Sequence, residues 1–162
     1  MKVFILAALS ADGFIARDRN ELVDWTSKED RKLFTELTTR AGVIVMGHNT
    51  YRTIGRALPN RRTIVYSSQP IKDEDVETTQ EPPKKLVARL AKEGYKELAV
   101  IGGQSVYDEF LRAGVVDELY ITVEPIVFGE GIRLTTLPVQ LQLEEQRQLN
   151  QDVVLQHYRV KR

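Results

Sequence analysis

The sequence predicts an α/β fold: a single three-layer domain with a mostly parallel central sheet and an antiparallel C-terminal strand. Short apolar runs alternate with helical patterns along the chain, which is typical of parallel β–α–β units. Most of these runs are rich in Val and Ile without polar alternation, as expected of strands buried on both faces. The chain has 162 residues, the length of one domain, so we expect residues 1–162 to form a single unit.

Six apolar runs are the predicted strands. The first, at residues 3–9, follows a single lysine and leads into a polar turn without a convincing cleavage site, so it indicates a buried strand rather than a signal peptide. The others lie at residues 43–46, 63–66, 98–101, 119–127 and 153–160. No clear helical pattern separates the last two runs, so we expect these strands to pair in antiparallel orientation.

Three longer helices are predicted between the strands, at residues 28–40, 83–92 and 105–112. In the first, Leu33, Phe34 and Leu37 share one face and charged side chains cover the other. The remaining polar stretch, residues 69–85, contains Pro70, Pro82 and Pro83, which indicates a mobile surface segment.

The composition excludes several classes of function. Lys and Arg total 23 and Asp and Glu also total 23, a balance that argues against a general nucleic-acid binder. Cysteine is absent and the only histidines are His48 and His157, which excludes disulfides, thiolate catalysis, Cys-ligated metals and a His-rich metal site. No apolar run approaches the roughly 20 residues of a membrane helix. We therefore expect a cytoplasmic protein without a metal, and with neither nucleic acid nor a membrane as partner.

Asp30 lies at the N-terminal end of the apolar stripe of the first predicted helix, three and four residues before Leu33 and Phe34. A carboxylate that faces an apolar interior loses solvation, so its pKa should rise above about 3.9 and it can bind a hydrogen-bond donor or handle protons. The alternative is a capping box formed by Ser27 and Asp30, since an acid in the first turn also suits the helix dipole. Position alone leaves both roles open.

Two predicted strands end in glycine and run directly into helical segments. Met46-Gly47-His48-Asn49-Thr50 follows one strand, and Ile101-Gly102-Gly103-Gln104-Ser105 follows another. Free backbone N–H groups and the helix dipole favour a phosphate at such a place, although glycine often serves only as a turn residue. Neither segment has the spacing of a Rossmann fingerprint or a P-loop. Together with Ser67-Ser68 after a third strand, they indicate several phosphates or a dinucleotide.

These segments resemble the dihydrofolate reductases, in the same order, over most of the chain. Ala7-Ala8-Leu9 followed by Asp12-Gly13 and Ile15 is similar to the family's first strand and the start of its mobile active-site loop. Trp25, Asp30 and Phe34 have the spacing of the family's loop tryptophan, catalytic acid and pterin-packing phenylalanine.

Three further stretches carry the same resemblance. Residues 45–61 are similar to the family's most specific pattern, M-G-R-x-T followed by S-I-G and L-P-x-R. Residues 100–107 are similar to its second cofactor loop. Residues 119–122 are similar to the strand whose threonine hydrogen-bonds the catalytic acid, which here is Thr122.

The resemblance implies reduction of 7,8-dihydrofolate to tetrahydrofolate, with hydride passing from NADPH to pterin C6. It makes Asp30, Trp25 and Thr122 the catalytic set, and it places Arg61 on the substrate's glutamate carboxylate. The other implied substrate-binding residues are Leu6, Ala8, Phe34, Ile54, Leu58, Ile101 and Tyr107. The implied NADPH-binding residues are Ala8, Ile15, Gly47, His48, Asn49, Thr50, Ser67, Ser68, Gly102, Gly103, Gln104, Ser105 and Val106.

The chain departs from the family pattern at three positions. His48 stands where the family has Arg, and Gln104 where it often has a basic residue, which weakens the preference for NADPH over NADH. Asp24 replaces the usual proline before the loop tryptophan, so we expect a second carboxylate at the mouth of the pocket.

Residues 10–16 and 127–131 are closer to the riboflavin-pathway reductases, a sister group that shares the fold and NADPH but reduces a ribosylamino-pyrimidine. Such an enzyme is the main alternative. The presence of both Asp30 and Arg61 distinguishes a dihydrofolate reductase from it, because the pyrimidine has neither a pterin edge nor a glutamate tail. A nucleotide-binding module without catalysis is a third possibility. The sister reductases are often dimers and compact dihydrofolate reductases usually monomers, so the sequence is compatible with a monomer or a homodimer.

Overall fold

The computed structural model describes residues 1–162 and contains ten strands and four helices. The strands are β1 (Lys2–Leu9), β2 (Phe14–Ala16), β3 (Val43–Gly47), β4 (Arg62–Tyr66), β5 (Val76–Thr79), β6 (Glu97–Val100), β7 (Glu118–Val123), β8 (Ile132–Arg133), β9 (Leu141–Gln148) and β10 (Val154–Val160). The helices are α1 (Lys28–Ala41), α2 (His48–Ile54), α3 (Pro83–Lys92) and α4 (Gln104–Arg112). None of these helices combines the length and the apolar character needed to span a membrane.

Eight strands form the central sheet in the order β5-β4-β3-β6-β1-β7-β10-β9. Every pairing from β5 to β7 is parallel, and β10 pairs antiparallel with both β7 and β9. The predicted α/β fold with a mostly parallel sheet is therefore confirmed, as is the antiparallel pairing of the last predicted strands. A separate two-stranded sheet, β2 with β8, lies outside the main one.

The core has two halves because side chains of the buried strands alternate between the two faces of the sheet. Val3 and Ile5 of β1 pack in one cluster with residues of α3 and α4, including Leu86 and Phe110. Phe4 and Leu6 belong to the other cluster, which contains Leu33 and Leu37 of α1 and Tyr51 of α2. The helices therefore cover both faces, which gives the predicted three layers.

Four strands were not predicted, and one predicted strand is too long. β9 is almost entirely exposed, so it lacks the apolar pattern of a strand, and it forms by backbone pairing with β10. The polar segment 69–85 contains β5, an ordered edge strand paired with β4, rather than only a mobile surface stretch. β7 ends at Val123, four residues earlier than the apolar run suggested, because Glu124 and Pro125 interrupt it.

Candidate active site

One cleft of about 840 Å³ opens where the parallel strands end. The carboxyl ends of β1, β3 and β6 form its floor, and residues of α1 and of the loop between β2 and α1 line its sides. In open α/β sheets, ligands bind at the carboxyl ends of the strands, so this cleft is the candidate site.

Asp30 reaches the cleft from the first turn of α1. Ser27 is the N-cap of this helix, and its Oγ accepts a hydrogen bond from the Asp30 backbone N–H at 3.1 Å. The return bond of a capping box is not made by Asp30, because the Ser27 backbone N–H donates to Glu124 Oε1 at 2.7 Å. The Asp30 carboxyl group is therefore available to the cleft, while Ser27 still caps the helix.

Burial raises the pKa of Asp30 to about 6, and the negative charge of Glu124 adds to that rise. The Thr122 hydroxyl and the Arg31 guanidinium act in the opposite direction. Thr122 lies close enough to lower this pKa, yet its Oγ1 falls short of full hydrogen-bond geometry with any partner. The result is a carboxyl group that exchanges its proton near neutral pH.

Two buried polar atoms at the site have no hydrogen-bond partner, Trp25 Nε1 and Thr122 Oγ1. Trp25 lines the cleft and packs edge-on against Phe128, with ring centroids 5.0 Å apart. Thr122 does not line the cleft and lies fully buried. Buried polar atoms are almost always satisfied in proteins, so the Trp25 indole N–H is a donor available to a ligand in the cleft. The Thr122 hydroxyl lies outside the cleft, next to Asp30.

Arg61 contributes a half-buried guanidinium to the same cleft. Its Nε donates to the Pro59 carbonyl at 2.8 Å and its terminal nitrogen to Thr38 Oγ1 at 3.0 Å. Both acceptors are neutral, and burial lowers the pKa of this guanidinium. Arg61 is thus a positioned cation without a carboxylate partner, next to the apolar side chains of Ile54 and Leu58 that also line the cleft.

The two glycine segments meet at the floor of the cleft. The Gly47 backbone N–H donates to the Gly102 carbonyl at 2.8 Å. Gly102 has a φ of +138°, and a Cβ there would lie 3.1 Å from Thr50 Oγ1. A Cβ on Gly47 would lie 3.1 Å from the Val106 side chain. A side chain at either glycine would be crowded, and at Gly102 the positive φ also favours glycine. Neither α2 nor α4 has a side-chain cap on its first N–H groups.

The side chains predicted to bind the cofactor phosphates do not all line the cleft. His48 lines the cleft, and its Nδ1 lies 3.3 Å from Ser67 Oγ. Ser67 and Ser68 themselves do not line the cleft, and Ser68 is exposed. Gln104 lines it, with its side-chain amide donating to the Arg133 carbonyl at 2.9 Å.

The structure brings the remaining predicted site residues together in this one cleft. They are Leu6, Ala8, Ile15, Phe34, Asn49, Thr50, Ile101, Gly103, Ser105, Val106 and Tyr107. Asp24 is exposed and does not line the cleft, so the prediction that it places a second carboxylate at the mouth of the pocket is wrong. Glu124 is a carboxylate close to Asp30, but it is buried outside the cleft. Besides Asp30, the acidic residues that line the cleft are Asp18, Glu21 and Glu109.

Several residues that line the cleft were missed, most of them because no motif marks them. They include Thr26, Arg31, Thr35, Thr53, Arg56, Tyr66, Glu109 and Ile132. Most come from helices or loops whose polar residues look like ordinary surface. Thr53 and Arg56 lie within residues 45–61, the stretch that carries the family pattern, so their place in that stretch was an available signal.

Residues 2–141 match the family model described as dihydrofolate reductase. The chain belongs to the dihydrofolate reductase family. Dihydrofolate reductase type 3 of Salmonella typhimurium is 33% identical over 122 residues, which cover 75% of this chain and 71% of that protein. The uncharacterized protein YwjB of Bacillus subtilis (strain 168) is 27% identical, with 98% of each chain covered.

Among solved structures, a pyrimidine reductase-like protein from Corynebacterium diphtheriae matches with a TM-score of 0.80 at 18% identity, covering 99% of this chain and 92% of that one. At this identity the likeness concerns the fold alone. Membership of the dihydrofolate reductase family makes the protein an oxidoreductase of this fold.

Proposed function

We propose that the protein reduces 7,8-dihydrofolate to 5,6,7,8-tetrahydrofolate with NADPH as the hydride donor. The observation that carries this proposal is the presence of Asp30 and Arg61 in the same cleft. Dihydrofolate has a pterin edge rich in N–H donors, which suits the carboxyl group, and a glutamate tail whose carboxylate suits the unpaired guanidinium. Family membership and the 33% identity to a dihydrofolate reductase support the same substrate.

Asp30 accepts hydrogen bonds from the 2-amino group and N3–H of the pterin in this proposal. A carboxylate bonded at N3 cannot also reach N5, so the proton arrives at N5 through water. The pKa of about 6 allows Asp30 to change charge during turnover near neutral pH. Activity is therefore expected to fall as the pH rises above 6, since the reaction consumes a proton.

The glycine floor fits a cofactor that approaches the backbone closely. Gly47, Gly102 and Gly103 leave room there, and Thr50 and Ser105 offer hydroxyl groups beside it. When bound, NADPH supplies the hydride for pterin C6, and the protein aligns the two rings and excludes water. Ile15 and Trp25 come from the segment that would cover the nicotinamide.

Substitution of Arg61 tests the substrate assignment. Arg61→Leu should weaken dihydrofolate binding by roughly 10- to 150-fold, because a charge-assisted hydrogen bond contributes about 1.5–3 kcal/mol. Binding of a dihydropterin without the glutamate tail should stay the same. Both affinities can be measured from quenching of Trp25, the single tryptophan of the chain.

Arg56→Leu is the matched control, since Arg56 also lines the cleft but lies outside the predicted substrate set. It should change the two affinities far less than Arg61→Leu. If Arg61→Leu weakened the affinity for both ligands equally, Arg61 would not bind the glutamate tail, and this part of the proposal would be contradicted.

A riboflavin-type pyrimidine reductase is the second candidate. The segment Val127-Phe128-Gly129-Glu130-Gly131 and the match to a pyrimidine reductase-like protein support it. This enzyme would not need a cation for a glutamate tail, so the Arg61 experiment separates the two candidates.

A further inference from the structure

Glu124 is a buried carboxylate that no expected role explains. It directly follows β7, and its side chain is almost fully enclosed, with 2% of the residue exposed. The Glu124 backbone N–H donates to the Leu9 carbonyl at 2.8 Å, and the Glu124 carbonyl accepts from the Ile126 N–H at 2.8 Å. It does not line the cleft, so it does not touch a ligand there. Burying a carboxylate costs free energy, so its contacts need an explanation.

The contacts of Glu124 lead to the first turn of α1. Its Oε1 accepts two hydrogen bonds from Ser27, from the backbone N–H at 2.7 Å and from the hydroxyl at 2.8 Å. The same Ser27 hydroxyl accepts the Asp30 backbone N–H at 3.1 Å. In an ordinary capping box, the acid at Asp30 would itself bond to the Ser27 N–H. Glu124 occupies that place although it is 97 residues away in the chain.

We propose that Glu124 is a positioning residue for Asp30: it completes the cap of α1 in place of Asp30, and so leaves the Asp30 carboxyl group free for the cleft. This inference deepens the proposed function and rests on it. The hydrogen-bonded path from Glu124 through Ser27 also fixes the start of α1 against the ends of β1 and β7.

The charge of Glu124 has a second consequence for Asp30. Two buried carboxylates repel each other, which favours the protonated form of Asp30. The other groups that face Asp30 are the Arg31 guanidinium, the hydroxyls of Thr26 and Thr122, and the buried Tyr107 phenol. Among them only Arg31 carries a positive charge, and its terminal nitrogen donates to the Thr26 carbonyl at 2.6 Å.

Titration of Asp30 in the ligand-free protein tests this inference. The side-chain carboxyl signal is followed by carbon NMR in the wild type, in Glu124→Gln and in Asp30→Asn, which identifies the signal. Glu124→Gln keeps an oxygen that can accept from Ser27 but removes the charge. We expect the Asp30 midpoint to move down by about one pH unit, and the pH dependence of kcat/KM to move with it. Glu36→Gln, on the exposed face of α1, is the control and should leave the midpoint unchanged.

Ser27→Ala supplies a second test in case Glu124→Gln does not fold. It breaks the hydroxyl link but keeps the Glu124 charge, so kcat/KM should fall roughly tenfold while the Asp30 midpoint stays close to the wild type. An unchanged kcat/KM in Ser27→Ala would overturn the inference. An unchanged midpoint in folded Glu124→Gln, which keeps the acceptor for Ser27, would overturn the effect of the Glu124 charge on Asp30. The titration needs no substrate, so a shifted midpoint in a protein that fails to reduce dihydrofolate would instead contradict only the proposed function.

Discussion

Asp30 places a carboxyl group in an environment that disfavours its charge. Burial and Glu124 raise its pKa to about 6 in the folded protein, against an ordinary value of 3.8. Between these two values the folded protein binds more protons than the unfolded chain does. The free energy of unfolding therefore decreases as the pH rises through this window, and the charged Asp30 destabilises the fold above it.

Asp30→Asn should consequently separate stability from activity. At pH 8 the substitution removes a buried charge and should raise the free energy of unfolding by about 1–3 kcal/mol. At pH 4 the difference should nearly vanish, because Asp30 is then mostly protonated. Urea denaturation at both pH values measures the difference in the free energy of unfolding between the variant and the wild type. The rate of dihydrofolate reduction by the variant should fall at least about 100-fold. Equal stability differences at the two pH values would contradict the raised pKa.

His48 controls cofactor selectivity if it faces the 2′-phosphate of NADPH. His48→Arg should then improve the affinity for NADPH relative to NADH by roughly tenfold, since a guanidinium makes charge-assisted bonds to phosphate. Equilibrium binding of the two cofactors gives the ratio without turnover. A ratio equal to that of the wild type would show that His48 points elsewhere.

At the residue scale, the sequence located Asp30 but not its partner. The apolar stripe of α1 was enough to place Asp30 on the buried face, because helical periodicity is local. Glu124 could not be found in this way, since its contact with Ser27 joins residues 97 positions apart. It also lay inside the predicted strand at residues 119–127, where nothing marked it as a functional residue.

The turn before β2 and the segment after β7 hold each other in place. Asp12 accepts hydrogen bonds from the Phe128 N–H at 3.1 Å and the Gly129 N–H at 2.8 Å. The Ala11 N–H donates to the Ile126 carbonyl at 2.7 Å. Trp25 adds an aromatic contact with Phe128. The segment after β7 therefore holds both the turn before β2 and Trp25, which belongs to the loop between β2 and α1 that lines the cleft.

Asp12→Ala should loosen this loop with little effect on global stability, because Asp12 is exposed. We expect faster trypsin cleavage at Arg17 or Arg19 within the loop, and a kcat reduced by about tenfold where closure assists the reaction. Asp152→Ala, in an exposed turn, serves as the control and should change neither quantity. Cleavage and kcat equal to those of the wild type would show that Asp12 does not hold the loop.

At the element scale, buried strands were predictable and exposed ones were not. β1, β3, β4 and β6 carry continuous apolar runs, because helices cover both of their faces. β9 has no such run, since its stability comes from backbone pairing at the sheet edge. The apolar pattern of a sequence indicates burial, so it does not reveal a strand whose side chains stay exposed.

At the scale of the whole molecule, the fold alone does not choose between the two proposed reductions. A pyrimidine reductase-like protein shares its architecture, and a dihydrofolate reductase is 33% identical over the matched residues. One fold supports many functions, so the choice depends on the side chains that line the cleft. Asp30 and Arg61 are the two that favour dihydrofolate.

The most direct measurement is the decrease in NADPH absorbance after purified protein is mixed with NADPH and dihydrofolate, with and without methotrexate. We expect a decrease that methotrexate blocks and that Asp30→Asn abolishes. A protein that binds NADPH but leaves dihydrofolate unreduced, and instead oxidises NADPH with a ribosylamino-pyrimidine, would contradict the proposed function.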